Sequence, residues 1–102
     1  MSEFSTLTTK LITPLLRQKG FRKLGAFDRG ATHDFALYAR GDTQVRLTYS
    51  FHPYDYPDHG IHLEVRASGG TLVDRLHRPT RGGIRAMLRA VAKDLKSLPA
   101  GA

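Results

Sequence analysis

Residues 33–52 run His33-Asp-Phe-Ala-Leu-Tyr-Ala-Arg40-Gly41-Asp42-Thr-Gln-Val-Arg-Leu-Thr-Tyr-Ser-Phe-His52, with an alternating stretch on either side of the Gly41-Asp42 pair. Before the pair, His33, Phe35 and Leu37 share one strand face and Asp34, Ala36 and Tyr38 the other. After it, Val45, Leu47, Tyr49 and Phe51 face one way, with Arg46, Thr48, Ser50 and His52 opposite. Strand side chains alternate with period two, so this pattern builds a sheet covered on one side only. Parallel sheets are buried on both faces, so a one-sided sheet points to an antiparallel meander.

The reading extends outward in both directions. Ile61, Leu63 and Val65 alternate with His62, Glu64 and Arg66, and Ser68-Gly69-Gly70-Thr71 is a hairpin turn from which Leu72 to Leu76 returns as a short strand. Residues 21–29 form a weaker strand candidate. At the N-terminal end, Phe4, Leu7, Leu11, Leu15 and Leu16 recur at helical steps up to Gly20. Pro14 interrupts that helix and predicts a kink, or a restart with Thr13 as cap and Pro14 at the first position. At the other end, Ile84, Met87, Leu88, Val91 and Leu95 form the apolar stripe of a last helix that follows Thr80 or Gly82-Gly83. The expected fold class is α+β: helix, antiparallel three- to five-stranded meander, helix, with both helices on one face of the sheet.

A chain of 102 residues makes one domain, 1–102, with room for one core. No apolar run approaches the ~20 residues that cross a bilayer, so no membrane partner is expected. The N-terminus does not read as a signal peptide, and a cytoplasmic location is expected. Cysteine is absent, which excludes disulfides and thiolate metal sites. The net charge of +7 is unevenly placed. Residues 1–27 hold five Lys/Arg against Glu3, a balance of +4; residues 28–74 hold four Arg against seven acids, a balance of −3. Residues 75–102 hold seven Lys/Arg against Asp94, a balance of +6. Basic ends of this kind attract a polyanion, and the expected partner is nucleic acid, with RNA against DNA left open by the charge alone.

Arg81, Arg85 and Arg89 are spaced by four residues and Lys93 continues the row, so they share a face of the last helix, with Arg78 just ahead. Phosphates spaced along a strand would neutralise such a row; a solvated outer face with Asp94 in partial relief is the plainer alternative. His33 follows Arg29-Gly30-Ala31-Thr32. It reads either as a general acid–base group for a ribose hydroxyl or as a hydrogen-bonded histidine at the rim of the core. The segment from His52 to His62 holds three histidines, two aspartates and the pair Tyr54 and Tyr56, aromatic platforms for unpaired bases or packing for a long hairpin loop. His59 and His62 at i, i+3 across a loop-to-strand junction are not a recognised ligand pair, and neither a metal nor another cofactor is expected.

Four stretches resemble the HicA family of bacterial toxin ribonucleases: Leu15 to Phe21, Gly30-Ala-Thr-His33 with Phe35, Val45 to His52, and Gly83 to Arg89. The resemblance implies a double-stranded-RNA-binding-domain-like fold with residues 53–80 inserted before the last helix. It also implies metal-independent mRNA cleavage, His33 as the catalytic residue assisting attack of the 2′-hydroxyl, arginines on the phosphate, and an antitoxin partner. The alternative is a non-catalytic module binding nucleic acid or an acidic protein, such as a phage or defence-system regulator or an immunity-type protein. Whether the chain is an enzyme stays open at the level of sequence.

Overall fold

The computed structural model describes residues 3–28, 33–50, 60–79 and 81–98, with backbone alone for 25–28 and 33. Along the chain stand α1 (Glu3–Leu11), α2 (Thr13–Gln18), β1 (Arg22–Asp28), β2 (His33–Arg40), β3 (Thr43–Ser50), β4 (Gly60–Ala67), β5 (Gly70–His77) and α3 (Gly83–Lys96). The five strands form one antiparallel sheet in the order β1-β2-β3-β4-β5. All the helices lie on one face, α1 and α2 against β2 and β1, α3 against β4 and β5, with α1 touching α3. The expected α+β meander flanked by helices is the observed architecture.

Pro14 breaks the first helical stretch as its missing N–H requires, but the restart differs from the expected one. Ile12 takes the cap position without a side-chain bond, and Pro14 falls within the first two residues of α2. The Thr13 hydroxyl is committed elsewhere, to the Tyr38 hydroxyl at 2.8 Å across the core. Ile12 is itself fully buried beside Phe4, Leu7 and Leu16, while Leu11 and Leu15 are only half-covered. The Phe4 ring stacks on Tyr49 at 5.5 Å and 16°, which seats α1 over the middle of the sheet.

Which face of β2 meets the helices is decided across the ladder, not along the strand. Both alternations in β2 carry apolar residues of similar weight. Ala36 and Tyr38, however, pair with Leu47 and Val45, whereas Phe35 and Leu37 pair with Thr48 and Arg46. The covered face is therefore Asp34, Ala36, Tyr38, Val45, Leu47, Ile61, Leu63 and Val65, all buried.

Two glycines make the hairpins possible. Gly41 has φ 58° at the first of two loop positions, where a II′ turn needs glycine. Gly60 has φ 132°, and a Cβ there would lie 2.3 Å from the His77 carbonyl, so β4 and the end of β5 approach closely only without a side chain. The two turns at the far end of the sheet are joined: Asp42 accepts hydrogen bonds from Ser68, which hold its carboxyl below the usual range.

Leu63 is fully buried on β4, between β3 and β5. Leu63→Ala is expected to destabilise the fold by about 2–5 kcal/mol in chemical denaturation. Tyr38 supplies a pH test. Burial raises its hydroxyl pKa, against the opposing hydrogen bond from Thr13 and the field of Arg17. A raised folded pKa favours the neutral phenol in the fold. That stabilisation is complete below the unfolded value near ~10 and is lost as pH rises through the folded value. The denaturation midpoint should therefore fall on the alkaline side of ~10. Tyr38→Phe should flatten that fall, leaving the remainder to Tyr49, whose hydroxyl is also raised by burial.

Candidate nucleic-acid interface

The last helix owes its direction to Met87, Leu88, Val91 and Leu95, which are buried against the sheet, with Ile84 half-covered. Arg85, Arg89, Lys93 and Lys96 are all exposed on the outer face. At 3.6 residues per turn these four fall within one narrow stripe of α3. Lys96 is a member that the four-residue spacing overlooks; its offset of three from Lys93 is the signal that places it there. Arg81 is a correction to the expected row: the helix begins at Gly83, and Arg81 lies in the turn ahead of the Gly82 cap. Arg78 is exposed on the segment that joins β5 to that turn.

The Asp94 carboxylate, the acid expected to relieve the row, turns the other way. It accepts from the Arg75 guanidinium at 2.9 Å and pairs with His77 Nε2 at 2.7 Å, both on β5. The Asp94 and His77 side chains are only 16% and 17% exposed, so this is a part-buried tie between α3 and the edge strand. With Asp94 committed there, Arg85, Arg89, Lys93 and Lys96 pair with no carboxylate among the described residues.

The row is not explained evenly by helix electrostatics. Lys93 and Lys96 lie in the last turn, where the macrodipole favours cations. Lys19 adds to that end, donating to the carbonyls of Lys96 (3.1 Å) and Leu98 (2.5 Å). Arg85 lies in the first turn, where the dipole disfavours a cation and no acidic residue is present. A face positive along its whole length is suited to an extended anion.

Other expected residues fall differently. His33 begins β2 opposite Ser50, and its side chain lies outside those described. Tyr54 and Tyr56 lie outside the described residues, as do His52 and His59. His62 is bound to Asp74 at 2.5 Å on the open face of the sheet. Among the described residues no three histidine or carboxylate groups converge as metal ligands would, and no helix is long and apolar enough to cross a membrane.

Comparison with known proteins gives a partial likeness. Over 50 residues the chain is 46% identical to a tRNA-2-methylthio-N(6)-dimethylallyladenosine synthase of Bacillus velezensis and 42% identical to the protein of that name from Bacillus pumilus. The matched stretch is 49% of this chain and covers 9% of the length of either relative. No family model matches, and no solved structure matches.

These findings overturn the resemblance to the HicA toxins: no family model supports it, and the curated proteins that do match are of another kind. The antitoxin partner, implied only by that resemblance, has no support either. The physical basis of the false likeness is visible in the fold. Residues 53–80 are no insertion into a finished domain, since their described part forms β4 and β5 and gives Ile61, Leu63 and Val65 to the core. The Gly20-Phe21 exit answers to local packing: Gly20 has φ 88°, and Arg40 stacks on the Phe21 ring at 4.5 Å while donating to the Lys19 carbonyl at 2.7 Å.

The Asp94 tie can be tested by itself. Asp94→Ala leaves Arg75 and His77 without their partner and is expected to lower stability by about 1–3 kcal/mol. Urea denaturation at neutral pH measures this, and an unchanged midpoint would show that the tie contributes nothing.

Proposed function

We propose that this chain is an RNA-binding module that takes the phosphate backbone along the outer face of α3. The observation that carries the reading is the row of Arg85, Arg89, Lys93 and Lys96, exposed and without carboxylate partners among the described residues. Phosphate contacts position a nucleic acid without reading its sequence, and a straight helix with a cation at each turn suits a backbone with regularly spaced charges. The partial relatives are named for a modified tRNA nucleoside, which favours RNA over DNA as the polyanion. Arg78 and Arg81 lie ahead of the helix and extend the positive surface beyond its first turn. The general acid–base reading of His33, whose side chain lies outside those described, is not part of the proposal.

Counterion release supplies the test. Four cations on a single strand give a slope of about −3 for log affinity against log salt, at ~0.7 per phosphate contact. Arg85→Ala and Arg89→Ala should each weaken binding of labelled RNA at low salt and make the slope shallower by about 0.7. The RNA should be recovered at full length after incubation. Binding indifferent to salt, or unchanged in the double variant, contradicts the proposal. Shortened RNA would replace a binding module with a nuclease.

A further inference from the structure

The seam between β5 and α3 is not filled evenly. Beside the start of α3, Leu76, Pro79, Ala86, Met87 and Ala90 line a cleft of about 350 Å³, with His77 in its wall and Arg78 at its edge. Towards the end of α3 a second cleft, of about 320 Å³, is lined by Leu72, Val73, Arg75 and Ser97 together with two acidic residues, Asp94 and Asp74, the latter with its carboxylate turned to His62 on the open face of the sheet. His77 of the first cleft and Arg75 of the second are held by the same Asp94 carboxylate.

Charge separates the two. Among the described lining residues the second cleft includes Asp94 itself, which disfavours an anionic strand, whereas the first includes no acidic residue and meets that carboxylate only through His77. Position points the same way. Ala86 follows Arg85 and Ala90 follows Arg89 in sequence, so the wall of the first cleft lies one step around the helix from each arginine. The two alanines leave open the space that larger side chains on α3 would fill, and Pro79 and Met87 present apolar, polarisable surface there.

We infer that this first cleft receives an unpaired base of the RNA strand whose phosphates lie on Arg85 and Arg89, an inference that rests on the phosphate reading above. The volume is at the small end of the range for ligand sites, about 300–1,000 Å³, and suits one flat heterocycle. A base within a duplex is held by its partner and its stacked neighbours and does not enter. The cleft thus selects single-stranded or looped RNA over a continuous duplex, and does so by shape and apolar contact.

The experiment compares an oligouridylate of about 15 nucleotides with an RNA duplex of the same length, read by fluorescence anisotropy on the intact chain. Wild type is expected to favour the single strand by about tenfold. Ala90→Leu, which fills the cleft, is expected to remove that preference while duplex affinity stays within about twofold. Arg85→Ala weakens both ligands, so loss of the phosphate reading and loss of the cleft are distinguishable. Because Ala90→Leu could disturb the packing of α3, the wild-type chain is also photocross-linked to the same oligomer carrying 5-iodouracil. Adducts at Leu76–Pro79 or Ala86–Ala90 support the cleft. Adducts confined to other segments, or equal affinity of wild type for duplex and single strand, overturn it even where the arginine variants behave as expected.

Discussion

The Asp94 carboxylate acts on two levels at once. Accepting from Arg75 and pairing with His77, it fastens the outer helix to the edge strand of the sheet, where few apolar contacts are available: Val73 is half-covered and Leu72 is 60% exposed. By turning inward it also leaves the outer face of α3 without the one acid that the helix contains. Were Asp94 on the outer stripe, it would neutralise part of the row between Arg89 and Lys96, and β5 would keep Arg75 and His77 without their shared acceptor. One side chain thus sets both the docking of α3 and the sign of the surface it presents.

The magnitudes show where the weight of the functional argument lies. Like charges one turn apart cost only about 0.2–0.5 kcal/mol a pair, so repulsion within the row is tolerable for a folded protein and does not by itself demand a ligand. The stronger signal is local. Lys93 and Lys96 are at home in the last turn of α3, and Lys19 caps the same end, so that part of the face has a structural use. Arg85 has none of this, placed as it is against the dipole and reinforced by Arg81 in the preceding turn. The first two turns of the helix are therefore where the proposed RNA contact would account for what folding leaves unexplained.

The fold was legible where neighbours along the chain carry the information. Alternation gave β3 and β4, the stripe from Met87 to Leu95 gave α3, and Pro14 marked the break between the first two helices. What could not be read was information held across space. The two faces of β2 look alike in sequence, and only pairing with Val45 and Leu47 separates them. Thr13 has the character of a cap, but the Tyr38 hydroxyl, 25 residues away, takes its side chain. The candidate site divides in the same way. The arginine spacing was apparent from sequence, while the inward turn of Asp94 depends on β5 lying alongside, and β5 was only the vaguer half of a hairpin. The family likeness failed for a related reason: short motifs at helix exits and strand starts reflect local geometry that unrelated α+β chains share.

The open face of the sheet is the natural rival of α3 as a nucleic-acid surface, since it too is basic in part and carries an aromatic ring. Its charges, however, are largely spent on one another. Arg66 binds Glu64 at 2.9 Å, His62 binds Asp74 at 2.5 Å, and Arg46 lies over the Phe35 ring at 5.1 Å. A phosphate arriving there would have to displace carboxylates already in place, and each exchange returns only the difference between two ion pairs in water. On α3, where the row meets no carboxylate among the described residues, an arriving phosphate would displace counterions, whose release is itself a driving force. The asymmetry between the two faces follows from where Glu64, Asp74 and Asp94 direct their carboxylates, and not from the number of positive charges each face displays.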